Sequence, residues 1–204
     1  TNSILMLNTN NPPAQDAIAS LTSMLSNGFR INKSNPPANN TTVFYLAMKG
    51  GVHKVASFNQ ATTSGLQAIT GVGFKPQQLM LESFNLAVPP RSNDTPQGSN
   101  AYSSAISLGA AQSSSSRGNI WFQDRSDNDP SDANMYTSTT DVLTLAYGTA
   151  NGNNDGNPAV RAQADFASFG TDGFTLNWTT ADATQRQILY WAVGPNTSAT
   201  MWRE

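Results

Sequence analysis

The chain has 204 residues, a hydrophobic fraction of 38%, a charged fraction of 12% and a net charge of −2. The charged fraction is about half of the ~25% usual in soluble domains, and no cationic excess is available to grip phosphates, so nucleic acid is not an expected partner. There is no cysteine and a single histidine, His53, which removes disulfides, thiolate nucleophiles, zinc–thiolate sites and any multi-histidine metal site. No apolar run approaches the ~18 residues of a membrane helix, and no basic segment followed by an apolar one marks a signal peptide.

Asn, Ser and Thr together make up about a third of the residues, while Glu occurs only at Glu82 and Glu204. Exposed-helix formers are scarce and turn and strand formers abound. A chain of this length buries ~70% of its unfolded surface in one core and needs no covalent staple.

In chain order, the first element is ambiguous. Asn11 as N-cap, Pro12 at the first helical position, and Ile18, Leu21, Met24 and Leu25 as an apolar stripe predict one short helix. The repeat described below favours a strand over the end of that stretch. Strands are predicted over 42–48, 78–87, 119–122, 141–147 and 187–193, which are short, β-branched or aromatic, and bounded by Gly, Pro, Asn or Ser. Long loops are predicted at 89–98 (PPRSNDTPQG), 112–118 (QSSSSRG) and 149–158 (TANGNNDGNP). Many short strands with this spacing give an all-β fold, a jelly-roll-like β-sandwich with at most one short N-terminal helix.

One pattern occurs twice. Ser26-Asn27-Gly28-Phe29-Arg30-Ile31-Asn32 matches Thr171-Asp172-Gly173-Phe174-Thr175-Leu176-Asn177, and Val43 to Ala47 matches Ile188 to Ala192 at the same offset. Asn-Gly and Asp-Gly are tight-hairpin dipeptides with positive φ, so each copy reads as a hairpin with partner strands at 21–26 and 166–171. The repeat divides the chain into an N-terminal arm and partial β unit (1–51), a main unit (52–195) and a tail (196–204). The partial unit is expected either to complete a neighbouring subunit's sheet or to form a small second sheet.

The order Val55-Ala56-Ser57-Phe58, Ile69-Thr70-Gly71-Val72-Gly73-Phe74-Lys75-Pro76, Leu79-Met80-Leu81, Asp172-Gly173-Phe174 and Tyr190-Trp191-Ala192-Val193-Gly194 resembles a family of bacteriophage virion β-sandwich proteins. In that family a G-F-x-P strand entry and a D-G-F…Y-x-A-x-G ending bracket each unit. The resemblance spans 17–195 and carries no catalytic residues. It implies an extracellular, non-enzymatic, assembly-forming role. The favoured reading is a structural protein on the virion exterior, a capsid decoration (cement) protein that forms homo-oligomers, with trimers favoured, and contacts the major capsid protein or other virion proteins. The alternative it leaves open is a receptor- or glycan-binding module of a tail fibre or spike, using the loops near 89–100 and 149–158.

Candidate chemistry is sparse. Asp124, Asp127, Asp129 and Asp132 supply clustered oxygens, and Asp127, Asp129 and Asp132 are the calcium candidates, beside the plainer reading of a solvated turn neutralised by Arg125. Asn151-Gly152-Asn153-Asn154-Asp155-Gly156 imitates an EF-hand start, but Ala162 stands where the closing Glu belongs. His53 lacks an evident partner and reads as an edge histidine. No nucleophile elbow, phosphate loop or spaced carboxylate pair is visible, so no enzyme activity and no cofactor other than calcium are expected. Trp121, Phe122, Trp178 and Trp191 read as core rather than as a sugar platform. Residues 1–15 and 198–204, with Met201 and Trp202 foremost, are the expected assembly arms.

Overall fold

The computed structural model describes residues 4–7, 15–37, 43, 50–84, 104–125, 132–149 and 158–195. All elements there are β-strands, and the expected helix is absent from the described residues. The chain separates into two compact units, Thr1–Lys49 and Gly50–Glu204.

The first unit is an antiparallel meander of β1 (Ile4–Leu7), β2 (Gln15–Leu25) and β3 (Gly28–Asn35), in that spatial order. The helix-like spacing of Leu21 and Met24 has a different cause. Leu21 pairs with Ile31 and Ser23 with Arg30, so Thr22 is an extra residue, a β-bulge. A bulge shifts the two-residue alternation by one, which brings residues three apart onto one face and mimics a helical stripe. The Thr22 hydroxyl donates to the Arg30 carbonyl at 3.0 Å.

The second unit is a sandwich. One sheet has the order β10 (Asp141–Thr149), β11 (Pro158–Gly170), β12 (Gly173–Thr180), β5 (Gly65–Thr70). The other has the order β4 (His53–Asn59), β13 (Gln187–Val193), β6 (Gln78–Ser83), β7 (Ser104–Ser113), β8 (Ser116–Arg125), β9 (Asp132–Ser138). Their facing sides form one core, with Leu79, Leu81, Ile188 and Ala192 from the larger sheet against Leu143, Leu145, Ala164, Phe166, Leu176 and Trp178 from the smaller. Phe174 lies edge-on to both Phe58 and Tyr190, with centroids 6.0 and 5.3 Å apart. Such edge-to-face pairs add to the area term that dominates the core.

The duplication is deeper than its sequence trace. The β2–β3 pairing and the β11–β12 pairing have the same register throughout, with Met24↔Phe29 matching Phe169↔Phe174 and Leu21↔Ile31 matching Phe166↔Leu176. The bulge at Thr22 recurs at Ala167, and the bulge at Ser34 recurs at Thr179. At the second of these the hydroxyls do the same work: Ser34 donates to Ile18 O and Thr179 to Gln163 O, at 3.5 and 3.2 Å. The match extends to β1 and β10. Met6↔Ala17 then Leu7↔Gln15 parallels Leu145↔Ala162 then Ala146↔Val160, each skipping one residue of the longer strand. The partial unit is therefore a three-stranded copy of β10–β11–β12, with β1 matching residues 143–146 of β10. The expected strand over 42–48, matching β13, lies outside the described residues except for Val43, as does the tail after 195.

Two expectations need correction. The turn residues are Ser26-Asn27 and Thr171-Asp172, with Leu25↔Gly28 and Gly170↔Gly173 already paired, so each glycine opens the return strand instead of sitting in the turn. The segment 112–118 is not a long loop. It is a two-residue hairpin turn between β7 and β8, closed by the Ser113 hydroxyl accepting from the Ser115 and Ser116 amides at 3.2 and 3.0 Å. A serine side chain replaces the missing backbone partner, which a composition rule cannot see. The loops 89–98 and 150–157 lie outside the described residues.

Candidate functional site

The two sequence motifs of the main unit meet at one turn. The Asp172 carboxylate accepts from the Gly71 amide at 3.0 Å and the Gly73 amide at 2.5 Å, and the Asp172 carbonyl accepts from the Val72 amide at 3.2 Å. Gly71 and Gly73 have φ of 80° and 90°, which turns their alternate N–H groups toward one carboxylate. One residue of the Asp-Gly-Phe hairpin thus holds the Gly-Val-Gly-Phe loop after β5. This is a structural clamp: all three amides are already satisfied.

His53 is similarly occupied. Its Nε2 lies 2.7 Å from Gly50 O, and the Trp191 indole N–H points to its Nδ1 at 3.3 Å. A carbonyl only accepts and an indole only donates, so Nε2 carries the proton and Nδ1 receives the indole. No ring nitrogen is left for a substrate.

The acidic candidates do not converge. Asp127 and Asp129 lie outside the described residues. Asp132 opens β9, in register with Arg125 at the end of β8. Among the described residues no three His, Asp or Glu side chains group as metal ligands. Met201, Trp202 and the segment 151–156 also lie outside the described residues. The aromatics divide: Trp121 and Trp178 are buried between the sheets, whereas Phe122 and Trp191 stand on the outer side of the larger sheet.

Polar groups inside the sandwich form a joint. The Asn119 amide donates to the Thr144 hydroxyl at 2.8 Å, and the Thr144 amide donates to the Ser107 hydroxyl at 3.2 Å, tying β8, β10 and β7 together. Nearby, Arg117 bonds both carboxylate oxygens of Asp165 and the carbonyls of Ser114 and Thr140. These contacts tie the two sheets of the sandwich together.

The feature that sequence reading missed is the outer face of the six-stranded sheet. In register across it run Val55, Trp191 and Met80, then Leu189, Glu82, Leu108 and Ile120, then Ile106, Phe122 and Met135. Met135 is 82% exposed and Val55 72%, with Met80, Ile120, Leu189, Phe122 and Leu108 also exposed. Glu82 is the only charge in these rows. An antiparallel sheet with one solvated side alternates apolar with polar residues; here the outer side also carries a central apolar patch, bordered by Ser57, Gln78 and Thr137. The signal was present in runs such as Leu79-Met80-Leu81 and Ile188-Leu189-Tyr190-Trp191, which read as strands buried on both faces.

No family model, no curated protein and no solved structure matches the chain.

Proposed function

We propose that the protein is a structural component of a phage particle, a capsid decoration protein on the virion exterior, that works by adhesion to virion proteins and to its own copies. The observation that carries this reading is the apolar outer face of the six-stranded sheet. Contiguous exposed apolar surface of this extent marks an interaction site. The repeated meander supports the same reading, because a chain that duplicates a β ribbon duplicates surfaces and not chemistry. The strand and turn motifs that resemble phage virion sandwiches supply the setting. A surface solvated mainly by hydroxyls and amides suits a densely packed particle coat.

The test is stoichiometry on purified particles, followed by removal and restoration of the protein. A decoration role gives a copy number comparable to that of the major capsid protein, and heat resistance that falls on removal and returns on re-addition. A few copies per particle together with binding on a glycan array would favour a tail-fibre recognition module. Absence from particles would reject both.

A further inference from the structure

We propose that the outer face of the six-stranded sheet is a two-fold contact between copies of this chain, sheet against sheet. The inference rests on the adhesive reading above and names the partner of that face.

Three observations select a second copy as occupant. The first is area. Seven exposed apolar side chains, Val55, Met80, Leu108, Ile120, Phe122, Met135 and Leu189, span all six strands, a patch on the order of the ~800 Å² that each partner contributes to a stable interface. The second is chemistry. A partner of opposite charge is not called for, since the rows from Val55 to Met135 hold one carboxylate, and the chain's net charge of −2 opposes association little. The third is shape. The same sheet already packs its inner side on another β-sheet, and a second copy brings a matching apolar sheet without any further requirement. Like surface on like surface closes at two subunits. A trimer would need a head-to-tail contact made elsewhere.

Glu82 gives the contact a signature. It sits among Leu189, Leu108 and Met80, so closing the face desolvates a carboxylate whose nearest register neighbours are apolar. Association should therefore tighten, not weaken, when that charge is removed.

The experiment is sedimentation equilibrium of the purified full chain across the micromolar range. The wild type should be a monomer–dimer system. Ile120→Lys on β8 and Val55→Lys on β4 should each weaken the dimer about 100-fold or more, because each buries an unpaired ammonium. Glu82→Gln should strengthen it several-fold, and Thr180→Lys, an exposed position at the end of β12, should leave it unchanged. A second readout needs only the wild type: dilution should shift its tryptophan emission to the red as Trp191 is uncovered, and Trp191→Phe, which assigns the signal, should abolish that shift. A wild type that stays monomeric overturns the proposal, as does a dimer insensitive to both lysine variants, or a trimer. The adhesive function is judged separately by occupancy on particles, so a monomer that still coats particles would sink this contact alone.

Discussion

Gly173 lies so close to Ile69 that a Cβ placed on it would stand 1.9 Å from the Ile69 carbonyl oxygen. The reason is the pairing of β12 with β5, in which Gly173 opposes Thr70 and Phe174 opposes Ile69. Its counterpart Gly28 has nothing within 4 Å of the same point. The glycine of the repeated motif is thus demanded by a neighbouring strand in one copy and not in the other. Gly173→Ala should cost more than about 2 kcal/mol, as overpacking against backbone does. Gly28→Ala should stay within about 1 kcal/mol of wild type. Denaturant unfolding of the two variants, with amide exchange of β2–β3 for the second, checks the contrast.

The Asp172 clamp makes a second asymmetry. A carboxylate presents two equivalent acceptors to the Gly71 and Gly73 amides, whereas an amide side chain presents one acceptor and one donor. Asp172→Asn should destabilise the main unit by about 1–2 kcal/mol. Asn27→Asp, at the matching turn, should change stability by less than about 0.5 kcal/mol. Thermal melts of both variants test this directly.

Burial pushes the Tyr190 phenol above its ordinary pKa of 10.0, and the nearby Asp172 charge adds to the rise. The folded state then holds the phenolic proton more tightly than the unfolded state. Stability from this source is complete below pH ~10 and is lost as pH rises above it, at up to about 1.4 kcal/mol per pH unit. Tyr190→Phe keeps the ring packing with Phe174 and Phe58 but removes the titration. The variant's stability should fall less steeply than that of the wild type between neutral and strongly alkaline pH, as measured by urea unfolding at a series of pH values.

Arg117 joins three places at once. Its Nη2 donates to Asp165 Oδ2 at 2.9 Å, its Nε bonds Asp165 Oδ1 and donates to Thr140 O at 2.7 Å, and its Nη1 bonds Ser114 O. The side chains are largely buried, so this bidentate pair escapes much of the screening that weakens surface ion pairs. Arg117→Ala should cost about 2 kcal/mol, and Arg117→Lys should recover only part of it because the fork geometry is lost. Chemical denaturation of the two variants provides the measurement.

The strand from Gln187 to Val193 and the Phe29 and Phe174 hairpins were readable because their signals are local: apolar alternation bounded by turn residues. The serine-rich turn at 113–116 was not readable as a tight hairpin, because its closure depends on which way one hydroxyl points. The bulge at Thr22 misled in the opposite direction, giving a strand the apolar spacing of a helix. The outer apolar face was hidden for a geometric reason. A sequence shows that Met80, Leu108 and Ile120 are apolar, but only the register across β6, β7 and β8 puts them side by side. Long-range pairing such as β13 between β4 and β6 has no local trace at all.

Carrying one ribbon twice creates a sorting problem during folding. Strand β5 meets two templates of the same backbone shape, and side chains must tell them apart. On β12 the Trp178 indole donates to Gln67 Oε1 at 2.7 Å and Asp172 seizes the amides that follow β5. The matching positions on the other ribbon are Lys33 and Asn27, which do not reproduce that set. Trp178 and Asp172, two of the several positions at which the ribbons differ, supply the contacts that hold β12 beside β5.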